Sequence, residues 1–223
     1  MKLFEIYRGL IIEELIKTNL DEDYPMGWDV DEFKKLKSFA QRMRYCQDKL
    51  ERISSGSSRI VYKIDDTKVL KLAKNSKGIG QNNTEIDFSN DYMWDGVTAE
   101  LFDYDENGLW VEMELARKVT KQIWKNMIGM PLDIFEECCV YMHQQANPDI
   151  FKNKFHIKEP EGFKDLYDID LTSRILDLVS NYNLIIGDFG KLSTYGLVNR
   201  NGKDEIVIID YGLTQEVYDS YYK

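Results

Sequence analysis

The sequence predicts an α+β chain: helices first, then a small antiparallel sheet, then a mostly helical half closed by one late hairpin. Three observations carry this. Apolar side chains recur at threes and fours up to about residue 53, the period changes to two from Ser54, and helical spacing returns from Pro131. With 223 residues, 43% of them apolar and 13% aromatic, the chain has enough apolar surface for a core, and a charged fraction of 30% is not that of a disordered polypeptide.

Residues 3–16, LFEIYRGLIIEELI, put apolar side chains at 3, 6, 7, 10, 11 and 15, which is helix spacing. DEDYPMGW has turn composition and ends that helix. A second helix runs from about Asp31, its N-cap, with Phe33, Leu36, Ala40, Met43, Leu50 and Ile53 along one face. Together they form a helical extension over 1–53, expected to pack rather than to carry chemistry. From Ser54, RIVYKID and TKVLKLA alternate and are rich in β-branched residues, with Asp65-Asp66 as the turn between two strands. After a loop marked by Gly78 and Gly80, Lys77 to Met93 reads as a helix. AELFDYDENGLWVEMELA is a second strand pair turning at Asp105 to Gly108. Helices follow over Pro131 to Ala146 and about Leu166 to Tyr182, and YGLVNRNGKDEIVIID closes as a hairpin on Asn201-Gly202.

The formal charge of −10 works against a partner bound mainly through phosphates, so nucleic acid is excluded as an expected ligand. No apolar run approaches the ~20 residues of a membrane span, and no leader pattern stands at the start, so a soluble, cytoplasmic protein is expected. Cys46, Cys138 and Cys139 have neither a disulfide framework nor metal-ligand spacing and read as buried small apolar residues.

Four stretches carry chemistry. Ser54 to Tyr62, SSGSSRIVY, offers backbone N–H groups with little side-chain bulk between two strands, which suits a loop lying over phosphates. Lys71, flanked by Leu70 and Leu72 on the returning strand, costs desolvation unless an anion meets its ammonium. Glu85, on the following helix, is placed to supply a carboxylate. Finally, IVIID delivers Asp210 at the end of a strand, Gly212 lets the chain turn away, and Asp188 stands upstream across the hairpin. The triplet Asp-Phe-Gly is spelled at 188–190 and nearly so, as Asp-Tyr-Gly, at 210–212.

In this order the stretches resemble the protein kinase-like fold over roughly 54–214. Ser54 to Val61 is similar to the glycine-rich loop, with Gly56 at its central glycine and Ser54 and Arg59 replacing the outer two. Val69-Leu70-Lys71 resembles the Val-Ala-Ile-Lys strand. The resemblance implies a two-lobed protein kinase-like α+β fold: a small antiparallel-sheet N-lobe over 54–114 and a reduced helical C-lobe over 115–223. It implies ATP and Mg²⁺ as cofactors, with Gly56, Ser57, Ser58, Val61, Lys71, Glu112, Met113 and Glu114 at the nucleotide. Lys71 and Glu85 would form the ion pair, Asp188 would orient the acceptor, and Asp210 with Ser193 would hold the metal. A strand-hairpin-strand unit precedes Asp210 and not Asp188, so the second triplet corresponds to the family's Asp-Phe-Gly.

Two departures limit what is implied. Ser193 stands where the family has the metal-binding asparagine, and only eleven residues follow Gly212 in the sequence. The 147–167 insert, with His156, is the expected replacement for the missing substrate-binding surface. The expected function is phosphotransfer to a protein or small-molecule hydroxyl. The alternative is a pseudokinase that binds nucleotide or a partner without catalysis. Chains of this compact form resemble those of bacteria and phages, which implies a bacterial or host cytoplasm.

Overall fold

The computed structural model describes residues 27–91, 94, 96–146 and 158–221. The helix expected over 3–16, His156 and most of the 147–167 insert lie outside the described residues.

The single helix expected from Asp31 is two. Asp29 caps α1 (Val30–Lys35) by accepting from the Glu32 N–H, and the chain then extends at Leu36. Ser38 starts α2 (Phe39–Lys49) with a capping box, its hydroxyl accepting from Gln41 N–H while the Gln41 side chain reaches back to the Ser38 N–H. Helix α2 stops before Ile53, because β1 (Glu51–Ser55) pairs antiparallel with β2 (Arg59–Lys63), Glu51 opposite Lys63 and Arg52 opposite Tyr62. Ile53, which the spacing puts on a helix face, is therefore exposed on a strand.

Strand β3 (Lys68–Ala73) continues the sheet, α3 (Ser76–Ser89) crosses from it, and β4 (Leu101–Tyr104) and β5 (Trp110–Glu114) complete the order β1-β2-β3-β5-β4, antiparallel throughout. The two-residue period assigns the faces. Ile60, Tyr62, Leu70, Leu72 and Trp110 lie together under Trp28, Phe33 and Cys46 of the N-terminal segment. Val61, Val69 and Met113 belong instead to the core shared with the C-terminal part. Lys71, two residues from Val69, has the same parity and faces that side.

The C-terminal part contains β6 (Arg117–Lys118), α4 (Lys121–Ile128), α5 (Leu132–Ala146), α6 (Asp170–Tyr182), β7 (Tyr195–Arg200), β8 (Lys203–Ile208) and α7 (Gln215–Tyr221). Helix α4 is an element the sequence pattern does not announce. Thr120 caps it, Gly129 ends it at φ 90°, and Trp124 anchors it by packing fully buried against Phe135 and Tyr195. The β7–β8 hairpin turns on Asn201 and Gly202, at φ 54° and 80°, the left-handed pair that a two-residue turn requires. Ala99 N–H donates to Ile208 O at 2.9 Å and Ile208 N–H to Val97 O at 2.9 Å, so the approach to β4 is hydrogen-bonded to the end of β8. Arg200 on β7 reaches Glu114 at the end of β5 at 2.5 Å. The α+β, two-lobed arrangement expected of the sequence is present. Among the described residues no helix is long and apolar enough to cross a membrane.

Candidate functional site

Between the five-stranded sheet and the β7–β8 hairpin lies a cleft of about 490 Å³. Lys71 stands on its wall, buried. Its ammonium donates to both Glu85 oxygens at 3.0 Å and to the Ile209 carbonyl at 2.7 Å, so all three protons are used. Burial pulls the Lys71 pKa below its ordinary value, against the opposing pull of Glu85. Glu85, on α3, is fully buried and belongs to the two-lobe junction through its partners alone. A carboxylate at zero exposure is tolerable only because cations meet it.

Lys71 is not its sole partner. Arg59, which in the sequence stands merely in place of a loop glycine, is the first residue of β2 and is buried at 8% exposure. Its guanidinium lies 2.8 Å from Glu85 Oε1, 2.7 Å from Asp210 Oδ1 and 3.3 Å from Asn82 Oδ1. Burial opposes its charge, but Glu85 and Asp210 outweigh burial and hold its pKa above the usual arginine value. A signal for this was available: Val61 pairs with Lys71, so Arg59, two residues back, has the parity of the cleft face.

Asp210 follows β8 by two residues and its side chain is 58% exposed to the cleft. The adjacent Tyr211 is buried with its ring centroid 5.3 Å from that of Phe88 on α3, which fixes the turn. Gly212 is required there, since a Cβ would stand 2.5 Å from the Gln81 carbonyl oxygen. Asp188 lies in a 3₁₀ turn (Ile186–Gly190) after α6. Thr194 Oγ1 donates to the Asp188 carbonyl at 2.6 Å, and Tyr195 OH to the Phe189 carbonyl at 2.8 Å, holding the loop. The Asp188 carboxylate accepts from Lys191 at 2.5 Å, and that bond raises the lysine's pKa. Lys191 is a second cleft cation without a sequence signal.

Gly56, Ser57, Ser58, Val61, Lys71, Met113, Glu114, Asp188, Ser193 and Asp210 all line the cleft. Glu112 and Glu85 do not. Glu112 has the parity of Leu70, its pairing partner, and is buried on the sheet's other face with Lys68 at 3.6 Å. Leu115 and Ala116 take its place in the wall. The Gly56 to Ser58 loop is tied down: Lys74 Nζ donates to Gly56 O at 2.8 Å, Asn75 Nδ2 to Ser57 O at 3.1 Å, and Ser58 Oγ to Gln81 Oε1 at 2.6 Å. Its Gly56 N–H donates to Arg59 O at 2.9 Å, so that group is committed within the loop.

Magnesium, with Asp210 and Ser193 as its expected ligands, does not fit this arrangement as it stands. Asp210 Oδ1 already meets a guanidinium, so a metal ion there would have to share the carboxylate with a fixed cation.

A buried lysine on β3, a glutamate on the crossing helix and an Asp-aromatic-Gly after a hairpin occur in the order of the protein kinase-like fold. The fold is kinase-like. No family model matches the sequence, and no curated protein does. Among solved structures the chain is similar to the GDP and kanamycin complex of APH(2")-IIia, at 13% identity over 73% of this chain and 66% of that one, with a TM-score of 0.36. It is also similar to SAICAR synthase from Saccharomyces cerevisiae complexed with SAICAR, at 13% identity, 75% and 74% coverage and a TM-score of 0.37. A third is the Mycobacterium tuberculosis PknI kinase domain, at 11% identity, 75% and 60% coverage and a TM-score of 0.37. The chain thus spans just under two thirds of the first and less of the third. Likeness of this degree says nothing of substrate.

Proposed function

We propose that the chain binds ATP in the cleft and transfers its terminal phosphoryl group to a hydroxyl of a protein or small molecule. The observation that carries this is the fully buried Glu85 holding Lys71 and Arg59 at the edge of a cleft that also takes in Asp188 and Asp210. So many charges gathered in one cleft are costly unless a charged ligand completes them.

Val61, Val69 and Met113 form the apolar wall for the base, with Leu115 and Ala116 beside them. Arg59 and Lys191 meet phosphate oxygens, and with the Lys71 charge beside them they offset charge that grows on the phosphates in the transition state. Asp188 orients the acceptor and takes its proton: the acceptor oxygen bonds to the γ-phosphorus, the bond from that phosphorus to the bridging oxygen breaks, and ADP leaves. Catalysis is then mostly positioning.

A second reading, nucleotide binding without transfer, is favoured by one specific feature. Both cleft aspartates already hold cations, Asp210 through Arg59 and Asp188 through Lys191. Incubation with γ-labelled ATP, with and without Mg²⁺, separates the two readings when wild type is run beside Asp188→Asn and Lys71→Met. Transfer by wild type that both substitutions abolish supports the enzyme. Bound ATP without turnover selects the second reading, and transfer that survives both substitutions refutes the assignment of the site. A cytoplasmic setting is part of the same proposal.

A further inference from the structure

We propose that the Arg59 guanidinium is the resident cation on Asp210, so that this cleft takes a nucleoside triphosphate without a divalent metal. The inference rests on the nucleotide-binding reading above, and goes beyond it by naming the cation that stands on Asp210.

The cleft is balanced in charge without a metal ion. Glu85, Asp188 and Asp210 face Lys71, Arg59 and Lys191, three carboxylates against three cations, and Glu114 on the cleft wall is paired with Arg200. With Lys71 and Glu85 alone as the ion pair, the two aspartates would leave the cleft doubly negative, and a polyphosphate would enter only with metal ions. Arg59 and Lys191 cancel those two charges, since each stands on one aspartate, and the triphosphate meets a neutral cleft instead of an anionic one.

Arg59 is also a permanent and fixed cation. Guanidinium stays charged at every accessible pH, and its planar fork spans several acceptors at once. It is held by Glu85, Asn82 and Asp210 together, at 9% side-chain exposure. Its backbone is fixed as well, because Arg59 pairs with Ala73 in the sheet and its carbonyl accepts the Gly56 N–H. A side chain so constrained does not withdraw from Asp210 Oδ1, so a divalent ion on the other oxygen of that carboxylate would stand against a fixed like charge at close range. Asp210 remains more than half exposed beside it, so phosphate oxygens entering the cleft reach the guanidinium at its rim.

The test measures ATP binding by isothermal titration in EDTA and again in excess Mg²⁺, for wild type and for Arg59→Gly, which puts back the family's glycine and frees Asp210. Wild-type affinity that changes less than threefold between the two buffers is expected, while Arg59→Gly should bind at least tenfold more weakly in EDTA than in Mg²⁺. Wild-type binding that drops threefold or more in EDTA overturns the inference and leaves the nucleotide-binding reading standing. No wild-type binding in either buffer overturns both. If Arg59→Gly does not fold, Arg59→Lys serves in its place. A lysine keeps the charge but loses the fork, so its EDTA penalty should exceed that of wild type, and a variant indistinguishable from wild type overturns the inference.

Discussion

Replacing Glu85 by alanine removes the buried carboxylate that both buried cations contact. Lys71 loses two bonds of 3.0 Å and Arg59 one of 2.8 Å, and both side chains are largely buried, at 8% and 9% exposure. Stranding a buried charge costs about 3–5 kcal/mol. For a chain of this size each kcal/mol moves the midpoint of thermal unfolding by about 2–4 °C, so the loss is roughly 6–20 °C. Thermal melts followed by circular dichroism measure it directly. Lys71→Met in the Glu85→Ala background removes one stranded cation, and should recover part of the loss, a non-additivity that a double-mutant cycle reads. A drop of under 2 °C for Glu85→Ala, or a double variant that is additively worse, would refute the buried three-way pairing.

Other outcomes follow from single positions. Gly212→Ala puts a methyl group 2.5 Å from the Gln81 backbone oxygen, so α3 must shift; a loss of about 1–3 kcal/mol in urea unfolding is expected, with weaker ATP binding. Gly202→Ala has open space around it and strains only a backbone at φ 80°, so stability should fall by about 1–2 kcal/mol while ATP binding is unchanged. Burial pushes the Cys46 and Cys139 thiols up to about 12. At pH 8 their thiolate fraction is then on the order of one in ten thousand, and Ellman's reagent should find these thiols unreactive until denaturant is added. Fast reaction of either in the native protein would contradict their place in the core.

The parts of the site that are legible in the sequence are those that follow from parity and order. Lys71 between Leu70 and Leu72 announces a charge on the face opposite a core, and the hairpin before Asp210 separates it from the literal triplet at Asp188. Arg59 is hidden because it opens the RIVYKID strand directly after a serine-rich loop; only the register of β2 against β3 makes it a cleft residue. The Glu112 side chain is turned away for the mirror reason, since its parity with Leu70 puts it on the sheet's other face. Lys191 carries no local signal, as its bond to Asp188 depends on the fold of a 3₁₀ loop. In the fold, α4 escapes detection because eight residues give too few turns for a periodic stripe. The end of α2 is misplaced because helix spacing runs on through Leu50 and Ile53 while the sheet claims the backbone.

Occupation of this cleft by ATP against Lys71 is tested most directly by photo-crosslinking with 8-azido-ATP followed by peptide mapping. Labelling is expected in the Ile53 to Val61 and Met113 to Ala116 segments, displaced by unlabelled ATP and lost in Lys71→Met. Labelling elsewhere, or labelling that excess ATP does not displace, would contradict it.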